Sequence, residues 1–223
     1  MKEPKFKVGQ EVYGQSDWFA GSYIPDCYTI RKNEYAIIDG EEVVLCYVKN
    51  RKTPMLECML FATEEEAQLQ EVKRFKANTE KTLATLKEQL ENEGLMQDKQ
   101  VLLGNTDSLD ASHCFSVGDV VYGHMDGYSY DFKPEKFVIT ACEVETHRGL
   151  EHNIYKVKGH GRRYAYEEYL YPTYKDALIA DLIRFKATFK GEIKSIEARS
   201  KSLGIEDKTK SLLLNWQSVK MIK

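Results

Sequence analysis

The residue types that could do chemistry in this sequence are scattered and form no recognised motif. All five histidines lie after residue 112, and Cys142, His147 and His152 follow one another at intervals of five, which is not a recognised zinc spacing. A Cys–His nucleophile pair such as Cys114 with His124 would need a third group to orient the histidine and a site for an oxyanion. The sequence supplies neither, so it predicts no catalytic residue, no metal ligand and no cofactor.

A second candidate segment is "KGHGRRYAY", which runs from Lys158 to Tyr166 and mixes glycine, basic residues and tyrosine. Arg162 and Arg163 could contact phosphate groups, because flexible glycine loops and arginine side chains suit that task. The segment matches neither a P-loop nor a dinucleotide fingerprint, and an ordinary basic hairpin turn is the simpler interpretation. It is the best local candidate for contact with nucleic acid or a nucleotide.

Two aromatic-rich loops are stronger candidates for a binding surface. They read "SDWFAGSYIPD" from Ser16 and "MDGYSYDFKPE" from Met125. Tyrosine and tryptophan are favoured at binding hot spots, and loops carry function more often than strands do. The predicted binding residues are Trp18, Phe19, Tyr23, Tyr128, Tyr130 and Phe132, assisted by Arg162 and Arg163 if the ligand is anionic. The alternative is that these rings cover a hydrophobic core.

The elements that must position these loops occur twice. "KFKVGQEVYG", from Lys5, returns as "CFSVGDVVYG", from Cys114, and "LFATEEEAQLQEVKRFKA", from Leu60, returns as "LYPTYKDALIADLIRFKA", from Leu170. The offset changes from 109 to 110 residues, which one inserted loop residue explains. The chain is therefore predicted to be a tandem duplication, with repeat 1 at 1–103, a linker at 104–113 and repeat 2 at 114–223.

Each copy starts with segments typical of strands. In copy one these are "CYTIR", "EYAIID" and "EVVLCYVK", separated by Lys-Asn and Asp-Gly turn signals. In copy two they are "KFVITACEVETH", "NIYKVKG" and "RRYAYEEYLY". Several short strands with turns between them predict a small antiparallel barrel or a strongly bent sheet.

Each copy ends with a pattern typical of a long helix. Thr63 and Thr173 precede acidic first turns and are placed as N-caps, and apolar residues then recur every three or four positions. They are Leu69, Val72, Phe75, Leu83, Leu86 and Leu90 in copy one, and Ile179, Leu182, Phe185, Phe189, Ile193 and Ile196 in copy two. A helix over 64–93 would be roughly 45 Å long, so its far half is expected to pack on another helix, within the chain or as a coiled coil between chains. A short terminal helix is expected around Trp216.

The phrase Phe-x-Val-Gly-Asp-x-Val-Tyr, formed by Phe115, Val117, Gly118, Asp119, Val121 and Tyr122, resembles the first strand of SH3-like small barrels such as Tudor, KOW, PWWP and BAH-type modules. Copy one matches it from Phe6 to Tyr13, with Gln10 in place of the acid. The resemblance implies that the strands of each copy form a small antiparallel SH3-like β-barrel or bent sheet. Together with the long α-helix that the periodicity predicts after each set of strands, the expected fold class is α+β. It implies no functional residue.

Composition narrows the class of protein. The chain is 42% hydrophobic with a net charge of -3, which is ordinary for a soluble protein and disfavours non-specific binding to nucleic acid. No signal-peptide pattern and no apolar run of membrane-spanning length is found, so a cytoplasmic location without membrane contact is expected. The five cysteines form no CxxC pair, and Cys46 and Cys58, which lie in apolar segments, are predicted to be buried reduced thiols.

Three classes of function follow from these observations. The first is a non-catalytic interaction or adaptor protein, with two small-barrel modules joined by associating helices and a protein partner. The second is a tandem barrel that binds nucleic acid through the basic hairpin of copy two. The third is a nucleotide-sequestering protein or an enzyme with a site between the repeats, which would leave no linear motif. The lack of a catalytic motif favours the first class. In that class the long helices could also pair between two copies of the chain. A composition and length of this kind are associated with short bacterial or phage accessory proteins.

Overall fold

The computed structural model of the chain describes residues 3–15, 23–95, 114–125, 132–147, 149–159 and 164–214. Over these residues the chain has a mixed α+β fold with two antiparallel five-stranded sheets and three α-helices. The chain divides into two compact units: unit 1 is Met1–Thr79 with Phe189–Lys223, and unit 2 is Glu80–Thr188. These bounds differ from those of the two predicted repeats, and the predicted boundaries at 103 and 114 stay a prediction.

The sheet of unit 1 has the strand order β4-β3-β2-β1-β5. Its strands are β1 (Glu11–Gln15), β2 (Pro25–Ile38), β3 (Glu41–Val48), β4 (Met55–Leu56) and β5 (Leu60–Phe61), and a 3-10 turn at Glu57–Met59 connects the last two. One face buries an apolar cluster made of Phe6, Val12, Ile30, Val44, Cys46, Val48, Met55 and Leu60. The described strands do not close into the barrel that was one of the two expected alternatives.

The sheet of unit 2 has the corresponding order β9-β8-β7-β6-β10. Its strands are β6 (Val120–Gly123), β7 (Glu135–His147), β8 (Leu150–Val157), β9 (Tyr164–Tyr166) and β10 (Leu170–Tyr171), with a 3-10 turn at Glu167–Tyr169. The buried cluster here is Val121, Phe137, Ile139, Tyr155, Val157, Ala165 and Leu170. These described strands also leave the sheet open.

The predicted break between "CYTIR" and "EYAIID" is wrong, because β2 runs through both segments. The pairing of β2 with β3 shifts register between Ile30 and Lys32, and an irregularity of this kind bends a strand without ending it. Asn33, read as part of a turn signal, instead donates its side-chain amide to the Phe6 carbonyl at 2.7 Å. The Asp-Gly turn is formed: Asp39 and Gly40 have φ of 51° and 85°, the positive values that a two-residue hairpin turn of type I′ requires.

The glycines of the repeated opening phrase have two different physical roles. Gly9 and Gly118 adopt φ of 87° and 98° in the turn before the first strand of each sheet, a conformation that glycine accepts without steric cost. Gly123 permits close approach, because a Cβ at this position would lie 1.9 Å from the Tyr169 carbonyl oxygen. The glycines of the repeated phrase therefore recur because the backbone needs a positive φ or a close approach at those positions.

The helices are α1 (Glu64–Asn92), α2 (Tyr174–Ser202) and α3 (Glu206–Leu214). The predicted N-caps are confirmed: Thr63 Oγ1 accepts the backbone N–H of Glu66 at 3.3 Å, and Thr173 Oγ1 accepts that of Asp176 at 3.1 Å. Trp216, around which a terminal helix was expected, lies outside the described residues. Among the described helices, none is both long and apolar enough to cross a membrane.

Each long helix contributes one segment to each unit, because the division falls between residues 79 and 80 in α1 and between residues 188 and 189 in α2. Within unit 1, the Phe75 ring stacks on Phe189 with centroids 5.4 Å apart, and Arg199 forms an ion pair with Glu64. Within unit 2, the Tyr174 hydroxyl donates to Gln89 Oε1 at 3.2 Å. In each unit, a segment of one long helix therefore packs on a segment of the other.

Burial follows most of the predicted apolar stripe. The buried members are Val72, Phe75, Leu86 and Leu90 in α1, and Leu182, Phe185, Phe189 and Ile196 in α2. The other four predicted members, Leu69, Leu83, Ile179 and Ile193, are half-buried. The stripe also includes buried polar residues that the apolar pattern did not predict, namely Gln68, Glu71, Thr79, Asp181 and Ser200.

We expect Leu86→Ala to lower the free energy of unfolding by about 2–5 kcal/mol, because the side chain is 2% exposed and its removal leaves a cavity. Glu88→Ala, on the exposed side of the same helix, serves as the matched control and should change that free energy by less than about 0.5 kcal/mol. Urea denaturation followed by circular dichroism gives both values. Equal stability of the two variants would contradict burial of the stripe.

Candidate binding surface

Two of the eight binding residues predicted from the sequence can be placed in the structure. Trp18, Phe19, Tyr128, Tyr130, Arg162 and Arg163 lie outside the described residues, so their role stays a prediction. Tyr23 and Phe132 are described, and they occupy corresponding places in copy one and copy two, 109 residues apart. Their surroundings differ.

Tyr23 is half-buried against α1. Its ring meets Phe75 edge-on with centroids 4.8 Å apart, and the Arg74 guanidinium lies 4.6 Å from the centre of the Tyr23 ring. Its backbone carbonyl accepts the Gln68 side-chain amide at 3.1 Å. The ring is therefore held in place by the helix with part of its surface still accessible, and its role in binding stays a prediction.

Phe132 is fully buried and is not accessible to a partner. Its exposure is 0%, and its ring packs edge-on against Phe185 with centroids 5.7 Å apart. It holds this position with a positive φ of 49°. The alternative considered from the sequence, that loop aromatics cover a core, therefore describes this residue, and a contact with a partner does not.

A carboxyl group with a displaced pKa lies near Arg74 in unit 1. Burial raises the pKa of Glu192 to about 7 from an ordinary value of 4.5, and the positive charge of Arg74 opposes that rise. Arg74 also forms an ion pair with Glu71, through a hydrogen bond from Nε to Oε2 at 2.8 Å. The apolar periodicity of the sequence did not predict that Glu192 would be partly buried in the packing of the helices.

Glu192 predicts a pH dependence of stability. The folded chain binds its proton more tightly than the unfolded chain, so the contribution to stability is complete below pH 4.5 and is lost as the pH rises through 7. We expect Glu192→Gln to stabilise the protein at pH 8 by about 1–3 kcal/mol more than it does at pH 4.5. Urea denaturation at both pH values measures this difference. Glu197→Gln, an exposed change on the same helix, should have little effect, and an equal gain for both variants would contradict the assignment.

Unit 2 contains a buried polar network at the corresponding helix. His124 Nε2 lies 2.7 Å from Asp181 Oδ2, and the two side chains are 8% and 1% exposed. Arg184 approaches Asp181 at 3.7 Å and donates to the Tyr171 hydroxyl at 2.6 Å. Burial is the main cause that raises the pKa of Tyr171. His124 and Asp181 have the spacing of a catalytic dyad. Both side chains are buried, however, and Arg184 links Asp181 to the Tyr171 hydroxyl, so the pair belongs to the interior of unit 2.

We expect Asp181→Asn to lower the free energy of unfolding by roughly 1–3 kcal/mol, because it takes the carboxylate away from the buried His124 ring and from Arg184 and a buried polar group that loses its partner is costly. Asp39→Asn, in the exposed turn between β2 and β3, removes a carboxylate from the surface and should change stability by less than about 0.5 kcal/mol. Guanidinium denaturation curves of the two variants test this expectation. A small effect of Asp181→Asn would mean that the network contributes little to folding.

An open groove on unit 1 combines apolar surface with carboxylates. It has a volume of about 140 Å³ and is lined by Tyr35, Glu42, Val43, Val44, Leu56, Glu57 and Cys58. No pattern in the sequence predicted this groove. Cys58, predicted to be buried, is exposed here, whereas Cys46 is buried as predicted, and burial raises the pKa of its thiol to about 11.

The register of β2 and β3 explains why apolar side chains line this groove. Tyr35 pairs with Val44, and Ile37 pairs with Glu42. Residues that pair across antiparallel strands share a face, and successive same-face residues are two apart, so Tyr35 and Ile37 continue the face on which Val44 and Cys46 are buried. They extend beyond the covered core, with exposures of 44% and 76%.

Carboxylates surround the exposed end of this hairpin. Asp39, Glu41 and Glu42 are exposed at the turn. Glu57 lines the groove, and its Oε1 accepts the backbone N–H of Lys5 at 2.6 Å. We call the surface formed by Tyr35, Ile37, Glu42 and the rest of the groove lining the hairpin surface. It is apolar at its centre and negative at its edge.

The corresponding place in unit 2 has side chains that are bonded to one another. On the face that corresponds to Tyr35 and Val44, Asn153 donates to Glu167 Oε2 at 2.6 Å. On the opposite face of the same hairpin, the Tyr166 hydroxyl donates to Glu145 Oε2 at 3.1 Å. Lys156 donates to Glu143 at 2.8 Å on that opposite face, and this contact is the main cause that lowers the pKa of Glu143. Val144 remains exposed on the corresponding face, but Asn153, which pairs with it across the hairpin, is already bonded to Glu167.

No group of three or more His, Cys, Asp or Glu side chains is arranged to hold a metal ion in the part of the chain that the structure describes. Comparisons of the chain with family models, curated proteins and solved structures found no match. Its function must therefore be argued from its own surfaces.

Proposed function

We propose that this chain is a non-catalytic interaction protein and that its hairpin surface in unit 1 binds a segment of a partner protein. The observation that carries the proposal is the exposed apolar strip of Tyr35 and Ile37 leading into a groove. Large apolar side chains that stand together on a surface mark sites of interaction. A side chain as exposed as Ile37, at 76%, gains most from being covered.

The carboxylates define the chemistry of the partner. Asp39, Glu41 and Glu42 favour a segment that carries Lys or Arg next to an aliphatic or aromatic side chain, because complementary charge improves specificity and the rate of association. The same negative charge disfavours a phosphate-bearing ligand at this surface. Binding of nucleic acid would have to use the segment around Arg162 and Arg163, and the loop residues Trp18 and Phe19 remain candidates for a second contact.

The proposal includes a tandem duplication of two SH3-like bent sheets. It is supported by the shared strand order of the two sheets, by the register shift in β2 between Ile30 and Lys32 and in β7 between Ile139 and Ala141, and by the matching turns at Gly9 and Gly118. In a duplicated binding protein, one copy can keep an accessible binding surface while the side chains on the corresponding surface of the other copy change. The open groove of unit 1 and the paired side chains of unit 2 fit that interpretation.

Selection of random peptides on the immobilised full-length chain tests the proposed function. We expect enriched peptides to contain a basic residue beside an aliphatic or aromatic one. Ile37→Asp should weaken their binding at least about tenfold, because it places a charge at the centre of the apolar strip and adds to the negative field. Leu150→Asp, at an apolar position of the unit 2 hairpin that is 66% exposed against 76% for Ile37, is the matched control and should bind as the wild type does.

Two results would overturn this assignment. Selected peptides that bind Ile37→Asp as well as wild type would place the contact elsewhere. A chain that is dimeric in solution and becomes monomeric in Ile37→Asp would mean that a second copy covers the hairpin surface. Melting curves of both variants establish that they are folded, since changes at exposed positions rarely alter stability by more than about 0.5 kcal/mol.

A further inference from the structure

A pair of thiols lies at the start of the second sheet, apart from the hairpin surface. Cys142 is on β7, just after the register shift between Ile139 and Ala141, and its Sγ lies 3.5 Å from the Phe115 carbonyl oxygen. Cys114 is the residue immediately before Phe115. Both thiols are free and exposed, so an oxidant in solution can reach them.

The hydroxyl of Tyr155 lies near both cysteines. It accepts the backbone N–H of Phe115 at 3.3 Å, and the two rings pack edge-on with centroids 5.7 Å apart. Burial is the main cause that raises the pKa of Tyr155, and Cys114 and Cys142 are both close enough to contribute to that rise. Two segments of the chain, at 114–115 and on β7, therefore bring their thiols to one phenol group.

The corresponding contact in unit 1 uses an amide. Asn33 follows the register shift of β2, and its side-chain Nδ2 donates to the Phe6 carbonyl at 2.7 Å. The residue before Phe6 is Lys5, so this place has no second thiol. In unit 1 the Asn33 amide therefore holds the segment before the first strand against the sheet, and an amide has no redox chemistry. Holding the corresponding segment in unit 2 does not by itself require a cysteine at position 142.

We propose that Cys114 and Cys142 form a reversible disulfide that fixes the segment at 114–115 to β7. The oxidant is a low-molecular-weight disulfide such as glutathione disulfide. The thiolate of Cys142 attacks one of its sulfurs, which forms a mixed disulfide and releases one thiol. The thiolate of Cys114 then attacks the Cys142 sulfur and releases the second thiol. Two protein thiols and one small disulfide give one protein disulfide and two small thiols, so atoms and electrons balance.

The position of the pair suits this exchange. A disulfide requires the two Cβ atoms to come within about 3.5–4.5 Å of each other, and Cys142 already contacts the backbone of the residue next to Cys114. The bond would close a loop of the chain that includes β6 and its turn at Gly118. Closing such a loop restricts the unfolded chain, so the oxidised protein should be more stable than the reduced protein.

Peptide mapping of the purified full-length chain tests the proposal. After incubation with glutathione disulfide under native conditions, mass spectrometry without reduction should detect a cross-linked peptide pair containing Cys114 and Cys142, with the mass expected for the loss of two hydrogen atoms. Dithiothreitol should abolish it. The melting temperature of the oxidised chain should exceed that of the reduced chain by about 5 °C or more.

Cys142→Asn is the matched variant, because it installs the amide that unit 1 uses at this place. It should keep the melting temperature of the reduced wild type and lose the response to oxidant, and Cys114→Ser should also lose that response. Cys27→Ser and Cys58→Ser, which change exposed thiols in unit 1, should oxidise as the wild type does. Separate glutathione adducts on Cys114 and Cys142 without a cross-link, or cross-links to Cys27 or Cys58, would overturn the proposal.

Discussion

The structure depends on covering the apolar stripe of two helices that are too long for the sheets they follow. Helices α1 and α2 each have 29 residues, and buried apolar residues occur along both, from Ala67 to Leu90 in α1 and from Ala177 to Ile196 in α2. Exposed, such a stripe would be a large apolar patch that favours aggregation. Each helix therefore contributes one segment to each compact unit, where a segment of the other helix is available to cover it.

Polar residues within these stripes follow from the same constraint. Glu71 and Asp181 are buried, and each has an arginine three residues later on the same helix face, a separation that lets two side chains of a helix meet. The pairing lets a carboxylate remain in the interior without an uncompensated charge. Glu192 has the weaker compensation, since the positive charge of Arg74 only partly offsets its burial. The helix packing thus includes groups whose protonation influences its stability.

A different constraint acts on the sheets. The two long strands of each sheet extend beyond the covered core, so their ends cannot be buried by it. In both units the long hairpin leaves apolar side chains exposed, at Ile37 and at Val144. In unit 2 the neighbouring polar groups pair with one another, whereas in unit 1 the corresponding place is an open groove between Tyr35 and Leu56. Two sheets with one strand order therefore offer different surfaces, and the difference depends on side chains at a few corresponding positions.

Local features of the protein were determined by the sequence alone. The N-caps at Thr63 and Thr173 and the Asp-Gly turn depend on backbone preferences that nearby residues establish, so short patterns predicted them. The periodic stripes likewise predicted which helix faces are apolar. Tertiary structure decided which helix covers each far segment, that Phe132 is buried and Cys58 exposed, and that the sheets stay open over the described strands. It also decided that Tyr35 and Ile37 border a groove, because burial depends on neighbours supplied by distant parts of the chain and an alternating pattern does not show where along a strand the covered core ends.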